Sequence, residues 1–164
     1  MKSAIVYYSY SGNTRKVAEA LAMYLLQFGS VEQIELKAPD ESKSFLGQCK
    51  RAFSHTKAKL EETNYDLSGY DLICFGSPVW AFGPAPAINT YLAKCTGVEN
   101  KQVVIFTTYG SGAGKQRCMD YMRESLAAKG VKELQQFSVQ QFKVKDQKIV
   151  LLKIKEGLRL WPNG

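Results

Sequence analysis

An α/β domain built on a single parallel sheet, with helices on both faces, is the fold this chain predicts. Three observations carry the prediction. Ala4-Ile5-Val6-Tyr7-Tyr8, Asp71-Leu72-Ile73-Cys74-Phe75 and Val103-Val104-Ile105-Phe106 are short β-prone runs without strict polar alternation. Each is followed by a Gly/Ser-rich turn. Each turn then gives way to apolar residues at helical spacing. A strand with one wet face alternates apolar and polar residues, whereas an unbroken apolar run suits a strand covered on both faces, as parallel strands are.

The elements follow in order. The first strand leads into a helix whose Val17, Leu21, Leu25 and Phe28 share one stripe, with Gly29 as its stop. Residues 31–36 predict a second strand, and Phe45, Cys49, Phe53, Thr56 and Leu60 form the next helical stripe before the strand at 71–75. Pro84 and Pro86 suit a helix start, Ile88, Tyr91 and Leu92 carry its apolar face, and Gly97 stops it. After the strand at 103–106, Met119, Met122 and Leu126 mark another helix, which ends at Gly130. Residues 133–139, with Leu134, Phe137 and Val139, predict a fifth strand. Asp146 caps a last helix running through Val150, Ile154, Leu158 and Trp161. Right-handed crossovers wind such an alternation onto both faces of one sheet, a three-layer, doubly wound architecture.

At 164 residues, 45% of them hydrophobic, and with no Pro/Gly/Ser-rich tract or repeat, the chain predicts one domain over 1–164. The first strand begins directly after Met1-Lys2, leaving no room for a secretory leader, and no apolar run approaches the roughly 18–20 residues of a membrane span. Cys49, Cys74, Cys95 and Cys118 are far apart, form no Cys-x-x-Cys pair and have one histidine, His55, to join them. They read as small buried hydrophobes in a reducing cytoplasm, not as metal ligands. The net charge of +7 would suit nucleic acid, an anionic membrane or an acidic protein. The cations are spread, however. Their densest stretch, Lys143, Lys145, Lys148, Lys153, Lys155 and Arg159, reads as a solvated helix face and not a nucleic-acid footprint; Lys43, Lys50, Arg51, Lys57 and Lys59 leave two readings open, the edge of a ligand site or, preferred, a face turned to water.

In a doubly wound sheet the ligand crevice lies beyond the carboxyl ends of the strands, where strand order reverses. The three most unusual turns all sit there: 9–14, 77–83 and 107–114. The first, Ser9-Tyr10-Ser11-Gly12-Asn13-Thr14, runs straight into a helix. A helix N-terminus presents unpaired N–H groups and partial positive charge, Gly12 allows close approach, and Ser9, Ser11, Asn13 and Thr14 add donors, so the run makes a neutral cradle for a phosphate. An ordinary capped turn would spend the same side chains on its own backbone. Gly110-Ser111-Gly112-Ala113-Gly114-Lys115 approaches a nucleotide-triphosphate loop but is one residue short. It also has Gln116 where a magnesium-ligating hydroxyl belongs, and it fails the G-x-G-x-x-G dinucleotide pattern.

Ser9-x-Ser11-Gly12-Asn13-Thr14 after a strand resembles the FMN-phosphate loop of the flavodoxin family. Gly76-Ser77-Pro78-Val79-Trp80-Ala81, followed by Pro84-Ala85-Pro86-Ala87-Ile88, is similar to the second flavin loop of a flavodoxin-like branch. Thr107-Thr108-Tyr109-Gly110-Ser111-Gly112 resembles the third. The resemblance covers nearly the whole chain and points to the short-chain branch. It implies a five-stranded sheet in the order 2-1-3-4-5, with FMN held by Ser9, Tyr10, Ser11, Gly12, Asn13 and Thr14 around the phosphate. Ser77, Pro78, Val79, Trp80, Ala81, Phe82, Thr108, Tyr109, Gly110, Ser111 and Gly112 would then surround the ring. Trp80 or Phe82 suits aromatic stacking on an isoalloxazine, a reading preferred over Trp80 merely plugging the top of the core.

The flavin carries the redox chemistry, so no catalytic side chain is required, and none forms a convincing triad or carboxylate pair near these loops. Typical carrier flavodoxins are strongly acidic, whereas this chain is basic. Positive potential near the flavin raises its reduction potential and favours acidic partners. The resemblance leaves two activities open: a carrier exchanging electrons with a redox partner protein, or an NAD(P)H-dependent quinone, flavin or protoporphyrinogen oxidoreductase with a small-molecule electron acceptor.

Overall fold

The computed structural model describes residues 1–39 and 58–158. In chain order the elements are β1 (Lys2–Tyr7), α1 (Asn13–Leu25), β2 (Ser30–Glu35), β3 (Leu72–Trp80), β4 (Gly83–Pro84) and α2 (Pro86–Lys94). These are followed by β5 (Gln102–Tyr109), α3 (Lys115–Ala127), β6 (Glu133–Gln140), a 3-10 turn (Gln141–Lys143) and α4 (Gln147–Gly157). The sheet runs β2-β1-β3-β5-β6, all parallel, and β4 folds back antiparallel on β3. Counting the parallel strands alone, this is the expected 2-1-3-4-5, and β4 is an addition to it.

Alternate residues of each central strand point to opposite faces, and the core divides accordingly. Ile5, Leu72, Cys74, Val104 and Phe106 face α1 (Val17, Leu21, Leu25) and α4 (Val150, Ile154). Ala4, Val6, Ile73, Phe75, Val103 and Ile105 face α2 (Ile88, Tyr91, Leu92) and α3 (Cys118, Met119, Met122, Leu126). Every one of these strand residues is at most 1% exposed, which is why the runs show no polar alternation.

Three expectations change in detail. Phe28 does not join the α1 stripe: the helix stops at Leu25, and Phe28 is 44% exposed with its ring edge-on to Tyr24. β3 continues through Ser77-Pro78-Val79-Trp80, expected as loop. Pro78 is tolerated there because Gly76, two residues earlier, takes the Tyr8 N–H just as β1 ends. The missing amide of Pro78 therefore falls on the side β1 has vacated. β5 likewise runs on to Tyr109. Of the predicted stripe at 45–60, only Leu60 is among the described residues, and it packs on the core; Trp161 and Arg159 lie outside them.

Burial holds the described thiols un-ionised at neutral pH. It pushes Cys95 up to about 11 and Cys118 up to about 12, and it raises Cys74 further. They behave as small hydrophobes, as expected. The same cause acts on the phenols. Burial, then the Glu32 carboxylate that accepts the Tyr70 hydroxyl, pushes Tyr70 up to about 12, and burial also raises Tyr91 and Tyr7. A phenol raised above its unfolded value of about 10 contributes stability that is complete below that pH and is lost as pH climbs through the folded value. The urea midpoint is therefore expected to hold level from neutrality to about pH 9.5 and to fall steeply between about pH 10 and 12; a midpoint unchanged at about pH 11.5 would contradict this account.

Candidate functional site

The carboxyl ends of β1, β3 and β5 open on a cleft of about 490 Å³, within the ~300–1,000 Å³ typical of small-molecule sites. It lies at the switch point, where β2 leaves β1 on one side and β3 adjoins it on the other. A larger groove of about 560 Å³ runs between α1 and α4, away from the strand ends. The cleft is the better candidate because the polar loop residues converge on it. Its walls are Tyr10, Ser11, Asn13 and Thr14 from the first loop, Pro78, Val79, Trp80, Ala81 and Phe82 from the second, and Thr108, Gly110, Ser111 and Ala113 from the third, with Gln141 closing one side. None of these residues is charged.

The first loop enters α1 through Gly12, which takes the N-cap position at φ 83 with no side-chain cap. Ser9 Oγ accepts the Arg15 N–H at 3.2 Å, so the amides of Asn13 and Thr14, the first two of the helix, are left without an intrahelical acceptor. Asn13 Nδ2 donates to Ser11 Oγ at 3.1 Å. Thr14 and Thr108 are buried and share a 2.9 Å hydroxyl contact that ties the first loop to β5. Arg15, at the start of α1, is committed elsewhere: its Nε and Nη2 donate to the Glu35 carboxylate at 3.0 and 2.7 Å. Hydrogen bonding and attraction to Glu35 raise the Arg15 pKa. An anion in this loop therefore meets amide and hydroxyl dipoles rather than a formal charge.

The second loop is a two-residue hairpin closed by the pair Trp80↔Gly83. Both central residues are left-handed, Ala81 at φ 43 and Phe82 at φ 69, the signature of a type I′ turn. Such turns favour Asn-Gly, and an alanine held there costs about 1–2 kcal/mol. Ala81→Gly is expected to raise unfolding free energy by about 1 kcal/mol in urea titration; a decrease would mean that the methyl packs usefully. Ser77, fully buried, anchors the hairpin: its hydroxyl donates to the Pro78 carbonyl and accepts the Ala85 N–H, both at 2.9 Å.

Trp80 is 5% exposed and packs edge-on against Tyr8 and Tyr10, at centroid distances of 5.5 and 5.6 Å. Of the two roles open to it, it fills the plug at the top of the core while its edge reaches the cleft. The open aromatic faces are Phe82, 45% exposed, and Tyr10, 44% exposed. The third loop comes close to the second at Gly114, whose φ is 76 and whose added Cβ would lie 2.7 Å from Phe82 Cα, so only glycine fits.

Of the predicted residues, Ser9, Gly12, Ser77, Tyr109 and Gly112 are not among those that line this cleft. Ser9 and Ser77 are spent on the backbone bonds above, and Tyr109 lies beneath the Lys115 ammonium, 4.9 Å from its ring centroid. Ala113 and Gln141 were missed. Gln141 comes from the turn after β6, next to Gln140, whose Nε2 donates to the Gly110 carbonyl at 3.1 Å. Nothing in a lone Gln-Gln-Phe marks it in the sequence. Among the described residues, no group of three or more His, Cys, Asp or Glu could hold a metal ion, and no helix is long and apolar enough to cross a membrane.

A parallel sheet in this strand order, with a cleft at its switch point, defines an open, doubly wound α/β protein. A family model described as Flavodoxin matches residues 2–146, and the chain belongs to that family. Three solved structures share the fold. A flavoprotein from Lactobacillus acidophilus NCFM, in complex with FMN, is 24% identical with a TM-score of 0.65, over 90% of this chain and 98% of that one. Oxidised flavodoxin 2 from Bacillus cereus is 20% identical with a TM-score of 0.59, over 95% and 99%. The apo form of an NADH:FMN oxidoreductase is 17% identical with a TM-score of 0.60, over 97% and 91%.

Proposed function

We propose that this chain binds FMN non-covalently in the cleft and uses it to pass electrons. The observation that carries the reading is the uncapped N-terminus of α1 at Gly12, opening into an uncharged cleft with exposed aromatic faces at its other side. The Asn13 and Thr14 amides, with the Ser11 hydroxyl, would hold the phosphate ester, and the helix dipole adds partial positive charge there. Phe82 and Tyr10 would cover the ring and exclude water from it. The backbone of residues 110–113 would meet its polar edge. FMN, when bound, supplies the redox chemistry; the chain's residues position it and control access.

Titration of the purified protein with FMN, followed by visible absorption and flavin fluorescence, tests the reading. A shifted spectrum and saturable quenching at micromolar FMN are expected, and an unaltered free-flavin spectrum at that concentration overturns it. The first reading of the activity is a carrier that exchanges electrons with a redox partner protein. The enzyme alternative is an NAD(P)H-dependent quinone, flavin or protoporphyrinogen oxidoreductase. Steady-state oxidation of NADPH with a quinone separates the two: rapid turnover without a partner protein sinks the pure-carrier reading.

A further inference from the structure

The turn that supplies Gln141 to the cleft also carries Phe142, which at 77% exposure is the most exposed large hydrophobic among the described residues. The turn is held firmly, since Gln141 lines the cleft and Val144 is buried in the core. Phe142 is therefore presented outward and is not simply adrift. Around it Lys143, Lys145 and Lys148 are exposed, and Lys16 on α1 shares a groove with Val144 and Lys145. No ion pair is made by these four lysines among the described residues. Two carboxylates are close in the chain or the groove. Asp146 is occupied in accepting the Lys148 and Ile149 amides as the α4 cap, and Glu19 lines the same groove. Along β2 a second groove holds Glu32, Glu35, Glu61 and Glu62 together with Lys37, and Glu35 there is paired with Arg15.

We propose that Phe142, together with the exposed Lys143, Lys145, Lys148 and Lys16, forms the docking surface for an acidic redox protein, seated beside the cleft. The proposal rests on the FMN reading for what the docking serves. An exposed aromatic anchor within a rim of like charge is the layout of a transient interface: the ring supplies contact energy, and the rim steers encounter and rejects partners of its own sign.

The test titrates the isotope-labelled protein with an oxidised plant-type ferredoxin, a strongly acidic one-electron protein, and in parallel with a basic cytochrome c, reading backbone amide shifts. With ferredoxin, saturable shifts are expected at residues 141–148 and Lys16, weakening about tenfold between about 20 and 200 mM salt. Cytochrome c is expected to leave these amides unmoved. The K143Q/K145Q/K148Q variant should bind about tenfold more weakly at low salt, and F142A several-fold more weakly at both salt levels, because an apolar contact is not screened. Shifts elsewhere, shifts shared with cytochrome c, or none at all would overturn the proposal. The amide shifts need no flavin. A chain that shows them without binding FMN refutes the FMN reading alone, and one that binds FMN without them refutes the docking surface alone.

Discussion

Replacing Ser11 with aspartate is expected to weaken FMN binding about a hundredfold while leaving riboflavin binding nearly unchanged. On the proposed reading the cradle would hold its anion with dipoles alone: among the described residues none that lines the cleft is charged, and Arg15 is committed to Glu35. A carboxylate at residue 11 would lie against a phosphate carrying more than one negative charge. At about 4 Å the repulsion runs from about 1 kcal/mol per charge pair in water to about 4 kcal/mol at an effective dielectric of about 20, so about 2.8 kcal/mol, or two decades, is a moderate expectation. The apo protein should respond in the opposite direction. The new carboxylate can accept the Asn13 or Thr14 amide and interact with the helix dipole, which raises apo stability by about 0.5–1 kcal/mol. Fluorescence titrations with the two flavins and thermal unfolding of the apo protein read all three quantities. Equal losses for FMN and riboflavin would mean that the ester sits elsewhere.

The sheet could be read because its central strands are covered on both faces, which leaves a mark in the sequence that survives without any knowledge of the partners. Ile5 and Val6 are both buried, on opposite faces, and so are Cys74 and Phe75. The loop at 9–14 could be placed for a similar reason, since its residues lead consecutively into one helix. Features set by distant parts of the chain could not. Ala81-Phe82 is a poor type I′ pair by local preference, and the turn is formed where Gly114, more than thirty residues away, leaves room for Phe82. Gln141 reaches the cleft only because β6 pairs with β5 as far as Tyr109↔Gln140, a matter of register and not of composition. Trp80 reads from the sequence as a stacking ring ahead of a core plug, and its place between Tyr8 and Tyr10 depends on how far β3 continues.

The second large effect is expected directly beneath the cleft. One row of paired residues crosses the sheet there, Tyr7↔Gly76, Gly76↔Phe106 and Phe106↔Phe137. Phe106 is fully buried, stacks on Phe137 at 5.6 Å, and lays its ring over Gly76, where an added Cβ would stand 2.1 Å from its Cζ. The glycine is there for space and not for conformation, because its φ is ordinary. Phe106→Ala is therefore expected to cost about 3–5 kcal/mol through the cavity it leaves. Gly76→Val should cost at least the upper part of the roughly 1–3 kcal/mol of overpacking, because the obstructing ring is pinned by its stacking partner. Combined, the two changes should cost less than their sum by about 1–3 kcal/mol, as the valine fills part of the space the ring vacates. Urea unfolding of the wild type, both single variants and the double variant closes the cycle. A strictly additive result would show that the ring does not occupy the glycine's missing side-chain volume, and the floor of the cleft would then have to be held flat by something other than this row.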